Sequence, residues 1–347
     1  MKFIAGDEKR FFEFMGNLNE KDKIAIISHI DLDGVTSAVL ASKIIGKVDY
    51  LRFIDYRPGV LKNVILELKK SKIKKIFILD LAVDSKEDIV EMEKFAEIVV
   101  IDHHPFEKDL NSEKTVFIKA ESDSPASAMC YYLFSKMQQV PSWIAALGIL
   151  ADKPHVYNEK NNSDVFDDFK LGKDKIDLWK YVFNLNLSII YFKGCEKKIY
   201  DLINESKELG NLDKFDKYSR IVEKELELWG KRFEKEKEVF GSLVIFHIEP
   251  KYLVNSILIN ELSVQDSGKT FVFISAKKGD EFLSISGRSQ GKDVDVSALL
   301  RSAIVGIENS AAGGHVKAAA ARVPVKFLDM FRNNLIKDYK KLEDRKV

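Results

Sequence analysis

The chain has 347 residues, of which 46% are apolar and 31% charged, with a formal net charge of only +1. That length admits two domains with a core each, at roughly 100–200 residues per domain, and the composition excludes a disordered or fibrous chain. The near-neutral balance excludes a strongly basic nucleic-acid wrap, although fourteen Lys/Arg stand against nine Asp/Glu from Thr270 to Val347, a mild bias toward a polyanionic partner.

Strand-like and helix-like segments alternate through the first hundred residues. Lys23 to Ser28 predicts a buried strand, and Gly34 to Gly46 the helix that follows it. Val48 to Asp55 predicts a second strand, and Leu61 to Lys70 a helix whose apolar residues recur every three to four positions. A third strand over Lys75 to Leu81, a helix over Lys86 to Ala96 and a fourth strand over Glu97 to Asp102 complete the series. Near-continuous β-branched strands separated by amphipathic helices predict an α/β fold with a doubly wound parallel sheet, buried on both faces. Ser124 to Met137 and Ser142 to Asp152 predict two helices packed on that sheet. The polar, Asn- and Asp-rich stretch from Tyr157 to Lys175 predicts a surface excursion.

From Ile176 to about Glu238 helical periodicity dominates, and its later part predicts a helical connector. A smaller C-terminal mixed α/β domain then begins near Gly241. Its strands are expected over Ser242 to Glu249, Thr270 to Gly279 and Glu281 to Ser289, with a helix over Val296 to Ile307. Within Ala311 to Pro324 a glycine-rich loop is expected to enter an alanine-rich helix. The expected division is 1–185, a connector over 186–240, and 241–347. Two distant cysteines, Cys130 and Cys195, fit a reducing compartment. The first residues turn charged too soon for a secretory segment, and no run approaches the ~18 apolar residues of a membrane span. A soluble, cytoplasmic protein is expected.

Ligands of open α/β sheets bind beyond the carboxyl ends of the strands, and there the chain concentrates metal-binding side chains. The first strand runs into His29, Asp31 and Asp33, the third ends at Asp80, the fourth at Asp102, His103 and His104, and a helix delivers Asp152. In an extended segment residues two apart point the same way, so His29, Asp31 and Asp33 are expected to face one cavity. Mixed carboxylate and imidazole donors suit Mn2+ or Mg2+ better than a structural zinc. Two such ions, roughly 3.5–4 Å apart, would keep the carboxylates from repelling one another and form a centre for phosphoryl transfer. An isolated Asp-x-Asp at a strand end is more often a helix cap. An isolated histidine is more often structural, and His155 and His247 are taken that way. Convergence of four segments on one rim carries the functional reading. In the second domain, Gly313, Gly314 and His315 before the expected helix would let backbone N–H groups approach a phosphate. Arg288, just past an expected strand, would clamp it through a bidentate fork.

With these residues in order, the chain resembles the DHH phosphoesterase superfamily, named for the triplet present here as Asp102-His103-His104. His29-x-Asp31-x-Asp33-Gly34, the strand-end Asp80, the triplet and Asp152 match its four N-terminal motifs. Gly313-Gly314-His315 is similar to the Gly-Gly-Gly-His segment of the associated C-terminal domain, with Ala312 in place of the first glycine. The first motif is closest to the RecJ-like exonucleases of the archaeal type. The resemblance implies a DHH catalytic domain over 1–185 and a DHH-associated substrate-binding domain over 241–347. It also implies two divalent ions, Mn2+ foremost and Mg2+ otherwise. His29, Asp31 and Asp152 would hold one, Asp33 and His103 the second, with Asp80 bridging. His104 would face the scissile phosphate and Asp102 would orient a neighbouring imidazole. Arg288, Gly313, Gly314 and His315 would grip substrate across an interdomain cleft. The implied activity is an exonuclease acting on single-stranded DNA or RNA. Few aromatics follow Phe282 to serve as stacking platforms, so a phosphodiesterase of short oligonucleotides or cyclic dinucleotides is the alternative. An inactive scaffold in a replication or repair complex is the third.

Overall fold

The computed structural model describes residues 1–55, 59–83, 85–121, 123–152, 178–277, 279–291 and 294–344. His155 and the expected surface excursion, Tyr157 to Lys175, lie outside the described residues. The chain divides into two compact units, Met1–Arg220 and Ile221–Val347. The stretch 186–240, expected as a connector, is shared between them.

Six strands among the described residues of the first unit form one sheet. They are β1 (Phe3–Ala5), β2 (Ile24–His29), β3 (Tyr50–Ile54), β4 (Lys75–Leu79), β5 (Glu97–Asp102) and β6 (Thr115–Ala120), in the order β1-β6-β5-β4-β2-β3. β2 to β6 run parallel, and β1 lies antiparallel to β6 at the edge. The sequence reading lacks β1 and β6, because Thr115 and Lys119 interrupt the apolar character of the β6 segment. Alternation along each strand decides which layer a side chain joins. Phe77 and Leu79 of β4 face the layer of α1 (Glu8–Gly16), α2 (Leu32–Ile45), α5 (Ala126–Phe134), α6 (Ser142–Asp152), α7 (Leu178–Tyr191) and α8 (Lys197–Glu205). Ile76 and Ile78 face α3 (Leu61–Ser71) and α4 (Lys86–Glu93). Each such side chain contributes about 1.5–3 kcal/mol when fully buried, and burial on both faces explains the continuous apolar runs.

Helix starts are what shape the carboxyl rim of this sheet. Asp31 opens α2, its side chain accepting a hydrogen bond from the Gly34 N–H at 3.0 Å. A Cβ at Gly34 would lie 2.5 Å from the His29 carbonyl oxygen, so only glycine lets the helix turn this close to the strand it leaves. α5 has Pro125 at its start and no side-chain cap of its own. The N–H groups of Ala126 and Ser127 instead donate to the Asp33 carboxylate at 2.8 and 3.0 Å. Among the described residues no helix is long and apolar enough to cross a membrane.

The second unit has its own six strands among the described residues: β7 (Glu238–Phe240), β8 (Leu243–His247), β9 (Thr270–Ser275), β10 (Phe282–Ser289), β11 (Ala311–His315) and β12 (Ala318–Pro324). Their order is β11-β12-β10-β9-β8-β7, parallel only between β8 and β9. α9 (Asp216–Glu236), α10 (Asn255–Gln265), α11 (Val296–Ala303) and α12 (Leu328–Asp344) accompany them. The alanine-rich stretch is therefore β12, paired on both sides, and the expected helix there is corrected. Tertiary pairing overrides the helix propensity of alanine. Ala319, Ala321 and Val323 alternate into the core shared with α11 and α12. Gly314 takes φ 137°, and a Cβ there would meet the Ala318 carbonyl oxygen at 2.5 Å, so the hairpin of β11 and β12 requires glycine at this position.

Candidate functional site

The rim at the carboxyl ends of β2, β4 and β5 gathers the expected side chains of the first unit. β4 lies between β2 and β5 in the sheet. Asp80, the residue after β4, is thereby set between the histidine that ends β2 and the pair that follows β5. Its oxygens lie 3.7 Å from His29 Nδ1, 3.4 Å from His103 Nε2 and 3.9 Å from His104 Nδ1. Asp80 adopts a left-handed backbone, φ 55°, which is uncommon outside glycine and costs about 1–3 kcal/mol of local strain. Its own N–H is fixed on the Ile101 carbonyl at 2.9 Å.

Potential ligand atoms fall into three overlapping groups: His29, Asp31 and Asp80; Asp33, His103 and Asp152; and Asp80, His103 and His104. Asp31 uses one oxygen to cap α2 and sets the other 2.8 Å from His29 Nδ1. The cap and the ligand reading are therefore compatible in one residue. Asp33 reaches the site differently from the expected extended alternation, since α2 has already begun at Leu32 and Asp33 sits in its first turn. Asp152 stands 3.6 Å from His103 Nε2 and groups with Asp33 and His103, whereas the resemblance implies His29 and Asp31 as its companions.

The electrostatics test whether these residues suit a cation. Asp80 is 1% exposed, and neither of its oxygens has a hydrogen-bond partner among the described residues. A buried carboxylate in that state costs about 1–3 kcal/mol or more. Burial, reinforced by the charges of Asp33 and Asp31, pushes its pKa well above the usual carboxylate range. Burial also raises Asp33 to about 6, helped by Asp152 and Asp31 and opposed by His103. Burial works against a charged His29, yet the carboxylates of Asp31 and Asp80 overcome it and hold the imidazole up at about 11. Four carboxylates and three imidazoles thus share the rim, and these oxygen and nitrogen donors fit a divalent cation.

Asp102 is fully buried and reaches this cluster through His104. Its Oδ1 lies 2.8 Å from His104 Nδ1, and its Oδ2 pairs with the ammonium of Lys119, which also donates to the His104 carbonyl at 2.6 Å. Burial alone would raise Asp102, but His104 and Lys119 hold its pKa below the usual carboxylate value. Lys119, 1% exposed on β6, is a site residue that the sequence reading missed. The available signal was a lysine inside an otherwise apolar strand, which needs a buried partner.

In the second unit, Arg288 lies within β10 and not beyond it. Arg288 pairs with Ala318 across β10 and β12, and Ala318 pairs with His315 across β12 and β11. Arg288 and His315 therefore share one row, two strands apart, roughly 10 Å at about 4.8 Å per strand. The Arg288 Nε donates to Asn260 Oδ1 at 2.7 Å, which fixes the guanidinium. Gly313, Gly314 and His315 are exposed on the edge strand β11 rather than gathered at a helix start. His247 accepts a place beside Arg332, 2.9 Å from its Nη1, consistent with a structural role.

Comparison with known proteins sharpens this picture. Residues 23–151 match the model of the DHH family, N-terminal domain. No curated protein matches the chain in sequence. Among solved structures, the fold is similar to exonuclease RecJ bound to manganese, at 15% identity and a TM-score of 0.73, covering 97% of this chain and 94% of that one. It is similar to CDC45 from Entamoeba histolytica at 10% identity and 0.60, covering 95% and 98%. It is also similar to PggH, the pGpG-specific phosphodiesterase from Vibrio cholrae, at 14% identity and 0.53, covering 92% and 99%. Residues 23–151, which hold every residue of the aspartate–histidine rim except Asp152, thus match the N-terminal domain of the DHH family, and the fold along almost the whole chain is similar to that of RecJ.

Proposed function

We propose that this protein is a divalent-metal-dependent phosphodiesterase, an exonuclease that removes nucleotides from single-stranded DNA or RNA. The observation that carries the reading is Asp80, a buried carboxylate without a hydrogen bond that belongs to two of the three ligand groups at the rim. His29, Asp31 and Asp80 would hold one ion, and Asp33, His103 and Asp152 a second. Two divalent ions, Mn2+ foremost and Mg2+ otherwise, would there polarise the phosphoryl oxygens and activate water at neutral pH.

The side chains around that centre have distinct tasks. With its Nδ1 committed to Asp102, His104 keeps Nε2 for the scissile phosphate, where it would donate a hydrogen bond or a proton to the leaving oxygen. Asp102 and Lys119 fix the plane and position of that ring. Arg288 and His315, with the open backbone of Gly313 and Gly314, would bind phosphates of the substrate. Likeness to a pGpG-specific phosphodiesterase supports the shorter-substrate alternative, acting on short oligonucleotides or cyclic dinucleotides. Likeness to CDC45 is compatible with an inactive scaffold, but a scaffold has no need for a buried, unsatisfied Asp80.

Hydrolysis with Mn2+ across end-labelled substrates, from a dinucleotide to a twenty-nucleotide strand in DNA and RNA, tests all three. Stepwise shortening of long strands supports the exonuclease. Cleavage confined to about two to five nucleotides moves the assignment to the short-substrate enzyme, and no cleavage of any substrate leaves the scaffold.

A further inference from the structure

The amino ends of the same parallel strands carry a different feature, far from the rim. A cavity of about 500 Å3 opens there, lined by four lysines, Lys74, Lys75, Lys94 and Lys114, and by two carboxylates, Asp22 and Glu97. Parallel register explains the gathering. Lys75 and Glu97 are register partners at the starts of β4 and β5, and Lys114 directly precedes β6. Lys75 to Asp80 is a full strand length, about 16 Å at 3.3 Å per residue, so a molecule held in this cavity does not touch the metal-binding side chains.

The charges in the cavity are unequally matched. Glu97 is taken by Lys75 at 3.0 Å, and Lys94 is taken by Glu91. One Asp22 oxygen accepts both the main-chain and side-chain N–H of Asn19, at 3.2 and 2.8 Å. Lys74 and Lys114 have no carboxylate within ion-pair distance among the described residues. Each donates only to a backbone carbonyl: Lys74 to Phe95 at 3.5 Å, and Lys114 to Glu93 at 2.8 Å. An ammonium has three donors, so two remain on each lysine. The two come from separate turns, and Phe95, half-buried, lines the same cavity. Two free cations select a polyanion, an aromatic wall accepts a flat ring, and the volume lies in the ordinary range for a small-molecule site.

We propose that this cavity binds a nucleoside phosphate, gripped at its phosphate by Lys74 and Lys114 with the base against Phe95. The site is independent of the hydrolytic reading, because it shares no residue with the rim. The phosphate can come from a free mononucleotide or from the backbone of a bound strand, and the two are separable.

Equilibrium dialysis of labelled 5′-AMP against the full chain, stripped of metal, tests the site. Wild type and Asp80→Asn are expected to bind at one saturable site, and Lys74→Gln/Lys114→Gln to bind about tenfold or more weakly. The lysine variant is expected to keep its fold in thermal melts, since Lys74 and Lys114 are exposed. Equal affinity in the lysine variant, loss of binding in Asp80→Asn, or no saturable binding by wild type overturns the proposal. Displacement of AMP by an oligonucleotide lacking terminal phosphates assigns the site to a strand backbone, and failure to displace assigns it to a free nucleotide. Either result supports the site.

Discussion

Lys75 opens β4 and Asp80 follows its end, and the two live under opposite conditions. Lys75 is 5% exposed, yet its ammonium rests 3.0 Å from Glu97 and 4.9 Å from the centre of the Phe14 ring. Asp80 is 1% exposed, adopts a left-handed backbone and accepts no hydrogen bond from the described residues. A buried charge with a partner holds structure together. A buried carboxylate without a hydrogen bond is a cost that folding alone does not explain, and such costs collect where a ligand will remove them. The same contrast recurs inside the rim. Asp102 is buried but satisfied by His104 and Lys119, so it positions, whereas Asp80 is buried and unsatisfied, so it binds.

The largest expected effect breaks that contrast at its sharpest point. Asp80→Ala removes the carboxylate shared by two ligand groups, and hydrolysis is expected to fall below about a tenth of wild type. A variant that keeps more than that, measured on a labelled strand with saturating Mn2+, removes Asp80 from the centre. Lys119→Met comes next. It leaves Asp102 without its buried cation, and loss of a positioning partner of this kind typically lowers activity about 10–100-fold. The discriminating readout is kcat against KM. A fall in kcat with KM unchanged supports positioning of His104, while loss of the fold by circular dichroism makes Lys119 structural only. Arg288→Ala is expected to raise KM about tenfold, the value of one lost charge-assisted contact. An unchanged KM would take Arg288 out of substrate binding.

What the amino-acid sequence alone makes legible follows the same division. β2, β4 and β5 are buried on both faces, so their apolar runs and the Asp and His residues at their ends were legible together. β6 was not, because Thr115 and Lys119 make sense only beside Glu93 and Asp102, residues distant in sequence. Asp33 was identified as a site residue but placed on an extended segment. The closeness that Gly34 permits starts α2 earlier than the apolar pattern suggests. In the second unit, the four alanines from Ala318 to Ala321 favour helix locally, and only the neighbours β10 and β11 make them a strand. The glycine-rich turn expected ahead of that helix is accordingly part of the edge strand β11.

The smallest effect is the one that most directly tests why Asp80 is tolerated. Asp80→Asn keeps the shape, loses the charge and sacrifices no hydrogen bond seen among the described residues. In metal-free protein it should therefore stabilise the fold, by about 1–3 kcal/mol at neutral pH. The sign with pH follows from the raised pKa of Asp80. An unfolded aspartate ionises near about 3.9. The folded protein therefore holds the proton to higher pH, and the penalty builds up between the unfolded and the folded value and is complete above the latter. The advantage of Asn should vanish near pH 4 and grow toward pH 8. Added Mn2+ should reverse the order, because wild type then gains the free energy of binding that the variant has lost. Thermal melts of both proteins, stripped and then loaded with Mn2+, provide the measurement. If Asp80→Asn melts lower than wild type at pH 8 without metal, Asp80 has a structural partner and its burial carries no message about binding.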